Sequence, residues 1–260
     1  MEDKEDIEVF SGCILESSDW HLEPDELLPA YAQKFFALAA KDPTARVVLN
    51  GDIFDIIIHG VKPYLQSSAM RSFLYKLPSQ GCDLLVGNHE LNEKELRRLF
   101  ASDPRVRIAK SLDLESEDGI CWHFEHGDSY SVDWGRFHWL YDGVAAAGLR
   151  VCPKLWYRFC RQCGWVPSVY KPKVATCVQI MGNMPVTVRT GESQRYTELT
   201  GMIWNRALLY GQKNGCHMVL GHTHMAKKIS NGFYVVDGGD MRDGSYVVIK
   251  DDVAEIRWLK

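Results

Sequence analysis

The chain has 260 residues, of which 46% are hydrophobic and 25% are charged, and its net charge at pH 7 is −4. A chain of this length can bury a substantial core, and its composition is that of a globular protein rather than a disordered or fibrous one. The acidic balance disfavours binding of nucleic acids over the whole surface, and no apolar run reaches the roughly 20 residues of a membrane-spanning helix.

The N-terminus and the cysteines bear on cellular location. Residues 1–6 are mostly charged and are not followed by the apolar segment of a secretory signal. The 8 cysteines are scattered along the chain, which favours reduced thiols in a cytosol over a disulfide framework. We therefore expect a cytoplasmic protein, and a basic segment late in the chain leaves open peripheral contact with the inner face of a membrane.

Short apolar strands alternate with amphipathic helices along the chain, as in α/β proteins. In chain order, the pattern predicts strands at 11–15, 46–49, 83–86, 120–125 and 218–220, and helices at 25–40, 67–77, 92–100 and 192–213. The C-terminal tail predicts antiparallel strands with turns at Asn231-Gly232 and Asp243-Gly244. We expect one α/β domain that covers residues 1–260.

Polar residues follow each of these predicted strands at the point where the strand ends. They are Asp19 and His21, Asp52, Asn88 and His89, His126, and His222 and His224. Side chains in a strand repeat every second residue, so His222 and His224 are expected to project together. Loops at one edge of an α/β sheet converge, and that edge is therefore the expected place for a shared site.

The residue types in these clusters indicate metal binding. Mixed carboxylate, imidazole and amide ligation suits Mn²⁺, Fe or Zn²⁺ better than Mg²⁺ or Ca²⁺, which prefer oxygen ligands. The set has more ligands than one ion needs, and a shared carboxylate would let it hold two ions about 3.5–4 Å apart. We expect two divalent ions, with Mn²⁺ first and Fe or Zn²⁺ as alternatives.

Each cluster has a simpler explanation when it is taken alone. Gly51-Asp52 is typical of a turn, Asp19 or Asn88 of a helix cap, and a single His126 of a hydrogen-bonded structural histidine. However, 5 of the 9 histidines lie in these clusters, and all the clusters share the strand-to-loop context. The shared context of these histidines favours one metal site formed by all the clusters. The other histidines, His59, His123, His138 and His217, lack this context and are expected to be structural.

The clusters also occur in an order that resembles a known signature. The blocks Asp19-x-His21, Gly51-Asp52, Gly87-Asn-His-Glu90, His126 and Gly221-His-Thr-His224 resemble those of the calcineurin-like metallophosphoesterases. The resemblance runs from about residue 11 to 245, with an unmatched stretch between the last two blocks. It implies an α/β fold in which two mixed β-sheets are flanked by helices in a four-layer αββα sandwich.

The resemblance also implies roles for the site residues. Asp19, His21 and His224 would hold one metal, Asn88, His126 and His222 the other, and Asp52 would bridge the two. The implied activity is hydrolysis of a phosphoester or phosphoanhydride. His89 would stabilise the transition state or protonate the leaving oxygen, and the alternative is a purely structural His89.

Several details resemble one branch of that family, the UDP-2,3-diacylglucosamine pyrophosphatases of lipid A synthesis. The matching stretches are Ser18-Asp-Trp-His-Leu22, Gly51-Asp-Ile-Phe-Asp55, His126-Gly-Asp128 and Gly221-His-Thr-His-Met225. One block departs, because that branch has Gly-Asn-Arg-Asp where this chain has Gly87-Asn-His-Glu90. The alternatives are therefore a general phosphodiesterase or phosphatase acting on nucleotides or nucleic acids, and a non-catalytic binding scaffold on the same fold.

A long insert, residues 129–191, separates the last two blocks. Between residues 129 and 176 its cationic residues are Arg136, Arg150, Lys154, Arg158, Arg161, Lys171 and Lys173, and only Asp133 and Asp142 oppose them. Aromatic residues are interleaved with the cations, as in a helical lid that binds an anionic amphiphile or rests on an anionic membrane. The alternative is a helical subdomain that packs on the core.

We expect Arg136, Arg150, Lys154, Arg158 and Arg161 to contact a small-molecule or lipid-linked phosphate substrate; nucleic acid is disfavoured as the partner, and no oligomeric state is predicted. Cys160 and Cys163 form a Cys-x-x-Cys pair near Cys152 and Cys177. A single pair of this kind is a weak zinc signal, and ordinary buried cysteines are expected.

Overall fold

A computed structural model of the chain describes residues 7–90, 93–101, 103–130 and 194–260, together with 147–148, 152, 155, 176–178 and 186–188. None of the helices in these ranges combines the length and the apolar character needed to cross a membrane.

The strands of the described residues are β1 (Glu8–Phe10), β2 (Cys13–Ser17), β3 (Arg46–Asn50), β4 (Cys82–Leu85), β5 (Val106–Ala109), β6 (Ser111–Ser116), β7 (Cys121–Glu125), β8 (Thr176–Val178), β9 (Val186–Val188), β10 (Cys216–Leu220), β11 (Lys227–Asn231), β12 (Phe233–Asp237), β13 (Ser245–Lys250) and β14 (Val253–Trp258). The helices are α1 (Ala30–Ala39), α2 (Ile56–His59), α3 (Val61–Tyr64), α4 (Ser68–Lys76), α5 (Glu93–Leu99) and α6 (Gln194–Asn214). Single 3₁₀ turns follow at Asp128–Tyr130 and Met241–Asp243.

The strands build two mixed sheets of 6 strands each. The first has the order β14-β13-β2-β3-β4-β5, in which β2 to β5 are parallel and β13 and β14 are antiparallel to their neighbours. The second has the order β1-β6-β7-β10-β12-β11, in which β7, β10 and β12 are parallel. The predicted α/β fold with two mixed sheets is confirmed.

Three apolar layers hold these sheets and helices together. The layer between the sheets includes Ile14, Val48, Trp122, Phe124 and Val219. The helices α1 to α5 cover the outer face of the first sheet, and α6 covers that of the second. Strands buried on both faces need continuous apolar runs, and the run Val47-Val48-Leu49 of β3 meets this need.

The first helix is shorter than the sequence pattern predicts. It begins at Ala30 rather than Asp25, and its N-cap residue Pro29 is extended (φ −60°, ψ 155°). A proline disfavours helical backbone at the preceding residue, so Leu28 stays outside the helix. The Leu28 amide instead donates to Ser72 Oγ at 2.9 Å, which ties this segment to α4.

Strands β1, β5, β6, β8 and β9 lie outside the predicted set. In β5, buried Val106 and Ile108 alternate with exposed Arg107, but over 4 residues this alternation is too short to identify a strand. Pairing with β4, in which Leu85 lies opposite Ala109, decides that the segment is a strand.

Most of the predicted insert lies outside the described residues, including Arg136, His138, Arg150, Lys154, Arg158, Cys160, Arg161 and Cys163. Two described parts of it, β8 and β9, form an antiparallel pair with Cys177 opposite Thr187. Cys152 is exposed. The prediction of a helical lid therefore stays a prediction.

Candidate metal centre

The polar clusters meet where β2, β3 and β4 of the first sheet and β7 and β10 of the second sheet end. Backbone hydrogen bonds join the loops in pairs: the Asp19 amide donates to Gly51 O at 3.1 Å, and the Gly221 amide donates to His126 O at 3.0 Å. Asn50 Nδ2 donates to Val219 O at 3.1 Å and so connects the two sheets at this edge. The predicted residues from all the blocks are thereby brought into one site.

The backbone is left-handed at many of these positions. The φ angles are 57° at Asp19, 47° at His21, 54° at Asp52, 67° at His222 and 52° at His224. Non-glycine residues seldom adopt this conformation, and each costs on the order of 1–3 kcal/mol unless the surroundings stabilise it. Such strain concentrates at functional sites, because it directs several side chains to one point.

The side chains form three groups of candidate ligand atoms, each within 4.8 Å of one another. The groups are Asp19, His21 and His224; His21, Asp52 and His89; and Asp52, His126 and His222. In the first group His224 Nε2 lies 3.3 Å and His21 Nε2 4.0 Å from Asp19 Oδ1. In the last group His126 Nε2 lies 3.1 Å from Asp52 Oδ2. Because His21 and Asp52 are shared, the groups form one continuous centre.

Several buried ligand atoms of the centre lack a hydrogen-bond partner among the described residues. They are Asp19 Oδ1, Asn88 Oδ1 and His126 Nε2. A buried polar atom without a partner costs about 1–3 kcal/mol. Divalent cations would satisfy all these atoms, and the mixed oxygen and nitrogen donors suit Mn²⁺, Fe or Zn²⁺. The residues present thus fit divalent metal binding.

Hydrogen bonds to Nδ1 orient three of the imidazoles. His21 Nδ1 lies 2.8 Å from Asp55 Oδ1, His126 Nδ1 lies 2.8 Å from Asn50 O, and His224 Nδ1 lies 3.3 Å from Asp240 Oδ2. Donation from Nδ1 leaves the lone pair on Nε2, which is the tautomer that a metal ligand needs. The carboxylates of Asp19 and Asp52 are likewise held, by the amides of His222 at 3.1 Å and His89 at 2.8 Å.

Sequence reasoning missed the roles of Asp55 and Asp240. Asp55 lies in the block Gly51-Asp-Ile-Phe-Asp55, which carries no predicted role for it. Asp240 lies in the segment Asp237-Gly-Gly-Asp240, whose pattern predicts a turn near the site, with a ligand role as the alternative. Asp240 also accepts hydrogen bonds from the amide and guanidinium of Arg242, which fix its orientation. Asp55 lies 34 positions from His21, and Asp240 lies 16 positions from His224. A local sequence pattern cannot predict contacts between residues so far apart in the chain.

His89 lies beside the ligands and is partly open to solvent. Its Nδ1 is 2.6 Å from Asp55 Oδ1, so Asp55 contacts both His89 and His21. Its Nε2 lies 3.9 Å from Asp52 Oδ2, and 18% of the side chain is exposed. Asp55 therefore fixes the Nδ1 edge of the His89 ring, and the Nε2 edge lies on the side of Asp52.

Burial and neighbouring side chains shift the pKa values of several candidate ligands. Burial opposes ionisation of Asp52, but the imidazoles of His126 and His89 hold its pKa well below the usual range. Burial and the neighbouring His126 lower the pKa of His222 to about 4, which keeps it neutral and able to coordinate. Burial disfavours the charged form of His224, yet Asp19 and Asp240 raise its pKa to about 9. A metal must displace that proton, so metal affinity is expected to rise with pH.

Glu90 holds the loops that carry Asp52 and Asn88 together. This fully buried carboxylate accepts hydrogen bonds from the amides of Asp52 and Gly87, each at 2.8 Å. It also accepts from Ile53 at 2.6 Å and Phe54 at 2.9 Å. A Cβ at Gly87 would collide with Asp52 Oδ1 and with the Asp52 amide, so only glycine permits the close approach of the two loops.

Replacing Glu90 with glutamine is expected to destabilise the fold by about 3–5 kcal/mol, because the amide nitrogen would meet backbone N–H donors where an acceptor is required. Glu93→Gln on the surface of α5 is the matched control, and its change in unfolding free energy should stay within about 0.5 kcal/mol. Urea unfolding of both variants measures the difference. Equal stabilities would show that Glu90 does not hold the loops.

Comparisons with known proteins leave the family open. No family model and no curated protein matches the chain. The solved structure of TT1561 from Thermus thermophilus is 12% identical, covers 95% of this chain and 99% of its own, and has a TM-score of 0.44. A second solved structure is 9% identical with the same coverage and a TM-score of 0.45. The protein of unknown function AQ665 from Aquifex aeolicus is 12% identical, covers 53% of this chain and 72% of its own, and has a TM-score of 0.28. At these values the comparisons assign no family and no activity, and function has to be inferred from the site.

Proposed function

We propose that this protein is a dinuclear-metal hydrolase that cleaves a phosphoester or pyrophosphate bond. The observation that carries the proposal is the continuity of the three ligand groups through His21 and Asp52. We assign Asp19, His21 and His224 to one ion, Asn88, His126 and His222 to the other, and Asp52 to both. In support of this division, the buried atoms of Asp19, Asn88 and His126 that lack a hydrogen-bond partner in the described part of the chain are divided between the two proposed ligand sets.

Two divalent ions bound here would stabilise charge on phosphate oxygens and lower the pKa of a water nucleophile. The side chains of the protein would orient the metal ligands and supply a proton donor. Asp55 and Asp240 hold the imidazoles of His21 and His224 through Nδ1, and Asn50 O does the same for His126. The ligand atoms are therefore arranged before the metals bind, which reduces the reorganisation that catalysis requires.

His89 is the proposed proton donor of the reaction. Asp55 fixes the ring through Nδ1 at 2.6 Å, and Nε2 remains on the side of Asp52, beside the proposed bridging position. Burial disfavours the charged form, but the carboxylates of Asp52 and Asp55 raise the pKa of His89 to about 9 in the metal-free protein. A protonated imidazole at this place would stabilise the transition state and protonate the leaving oxygen.

For the substrate we propose UDP-2,3-diacylglucosamine or a similar nucleotide-linked lipid or sugar. The support is the sequence resemblance in four blocks and the basic, aromatic insert at 129–191. The second candidate is a general phosphodiesterase or phosphatase acting on nucleotides or nucleic acids, which the block Gly87-Asn-His-Glu90 favours. We also propose that the insert contacts an anionic membrane peripherally from the cytoplasmic side.

A substrate panel with added Mn²⁺ tests the proposal. It should compare UDP-2,3-diacylglucosamine, nucleotide sugars, cyclic nucleotides and an aryl phosphodiester, with and without a chelator. Release of UMP from the acylated substrate alone would support the lipid substrate, and comparable turnover of all substrates would support the general phosphodiesterase. No metal-dependent hydrolysis of any substrate would contradict the enzymatic function itself.

Neutralising the insert should impair the acylated substrate selectively. Replacing Arg136, Arg150, Lys154, Arg158 and Arg161 with glutamine is expected to raise KM for UDP-2,3-diacylglucosamine by about tenfold or more, because about 1.4 kcal/mol or more of ion pairing to the substrate phosphates would be lost. The aryl phosphodiester should be hydrolysed as before. Lys94→Gln with Arg98→Gln on α5 serves as the control for a general loss of surface charge. Equal losses on both substrates would contradict a role of the insert in substrate binding.

A further inference from the structure

Two cysteines face each other at the ends of β7 and β10 that lie opposite the metal centre. The two strands are parallel, and their register places Cys216 directly opposite Cys121. Both side chains lie on the α6 side of the second sheet, where Cys216 is buried and Cys121 is packed against the same apolar cluster. Directly paired residues of a parallel ladder point to the same side, so the two thiols are neighbours.

The pair is chemically asymmetric. Cys121 is half-buried and within reach of solvent, whereas Cys216 is buried. The neighbouring Cys216 thiol lowers the pKa of Cys121, against the effects of burial and of Asp113. The same contact, together with burial, raises the pKa of Cys216. The thiolate, which is the reactive form, is therefore favoured on the more accessible of the two sulfurs.

We propose that Cys121 and Cys216 form a peroxide-sensitive dithiol, in which Cys121 is the attacking thiol and Cys216 the resolving thiol. The Cys121 thiolate would attack a peroxide oxygen, break the O–O bond and become a sulfenic acid, and the leaving oxygen would take a proton to form water or an alcohol. The Cys216 thiol would then attack the Cys121 sulfur, which forms the disulfide and releases the second oxygen as water. In total two thiols lose two electrons and two protons, and one peroxide is reduced.

The spacing of adjacent strands agrees with the Cα separation of a disulfide. Adjacent strands lie about 4.7–4.9 Å apart, which falls within the Cα separation of about 4.4–6.8 Å that disulfides span. The link would join the strands that precede His126 and His222 without separating them. Because it closes a long loop of the chain, the disulfide should raise the thermal unfolding midpoint by on the order of 5–10 °C.

The test exposes the metal-free, chelated full chain at pH 7 to one molar equivalent of hydrogen peroxide. Peptide mapping without reductant should show a cross-linked peptide that contains Cys121 and Cys216 and lacks two hydrogen atoms. Cys13 is the matched control, because it is also half-buried but has Asp42 rather than a thiol as its partner. Cys121 should be oxidised at least about tenfold faster than Cys13, since burial and Asp42 raise the pKa of Cys13.

The variant Cys216→Ala should stop the reaction at a Cys121 sulfenic acid that dimedone traps, and Cys121→Ser should abolish the cross-link. If Cys216→Ala does not fold, the wild-type peptide map still decides the question. Oxidation of Cys121 to a sulfinic acid without a cross-link would overturn the proposal. So would preferential oxidation of Met218, whose sulfur lies 3.9 Å from Cys216 Sγ.

Discussion

Replacing Asp52 with alanine is expected to lower metal-dependent hydrolysis by on the order of 10³-fold or more, which corresponds to about 4 kcal/mol of transition-state stabilisation. Asp52 belongs to two of the three ligand groups, so its loss removes the proposed connection between the two ions. His126 Nε2 lies 3.1 Å from Asp52 Oδ2. The substitution would therefore also remove the carboxylate that faces the buried His126. Activity and metal content should therefore fall together.

Elemental analysis measures the metal content of the wild type and of Asp52→Ala, and calorimetry measures how much added Mn²⁺ stabilises each. The wild type should bind two ions per chain, and Asp52→Ala one or none. Added Mn²⁺ should stabilise the wild type by about 2.7 kcal/mol at a concentration one hundred times its Kd, and the variant by much less. Asp52→Asn is a useful second variant, because its amide oxygen can still accept from the His89 amide.

The control for Asp52 is Asp113→Ala, which removes another carboxylate paired with a histidine, 2.7 Å from His123 Nδ1, but away from the ligand groups. It should retain activity and bind two ions. Full activity of Asp52→Ala, or two ions bound with unchanged affinity, would contradict the dinuclear assignment.

Replacing His89 with alanine is expected to reduce kcat by about 10²–10⁴-fold while the metal content stays at the wild-type level. The reason is that the proposed assignment gives every ligand role to other residues, while Asp55 fixes His89 through Nδ1 and its Nε2 lies 3.9 Å from Asp52 Oδ2. If His89 protonates the leaving oxygen, the loss should be larger for an alkyl leaving group than for an aryl phenolate, which needs no proton.

Two further variants distinguish the proposed role of His89 from other roles. His123→Ala removes a histidine that also pairs with a carboxylate, and it should leave kcat nearly unchanged. Asp55→Asn should reduce both kcat and metal affinity, because Asp55 contacts His21 as well as His89. Loss of metal in His89→Ala would reassign His89 as a ligand, and equal losses for both leaving groups would refute its role as the proton donor.

The predicted elements and the described structure agree where a segment is long or strongly apolar. The strand 46–49 and the helix 67–77 correspond to β3 and α4, and α4 is capped by Ser67 Oγ, which accepts from the Met70 amide. The helix predicted at 25–40 begins only at Ala30, because Pro29 disfavours helical backbone at Leu28. The short strand β5 goes unpredicted because its 4 residues gain strand structure only through pairing with β4.

The sequence by itself determined the fold class and the residue types of the candidate site, since both depend on local patterns: the period of apolar residues and the polar residues just beyond each strand. Only the tertiary structure decided which of these residues share a ligand group, and it alone gave roles to Asp55, Asp240 and Glu90. The same holds for Cys121 and Cys216, whose contact depends on the register of two strands far apart in the chain. The physical reason is that hydrogen bonds, charge shifts and metal coordination act over a few ångströms in space. Distances of that size between remote residues are set by how the sheets pack, which no local pattern encodes.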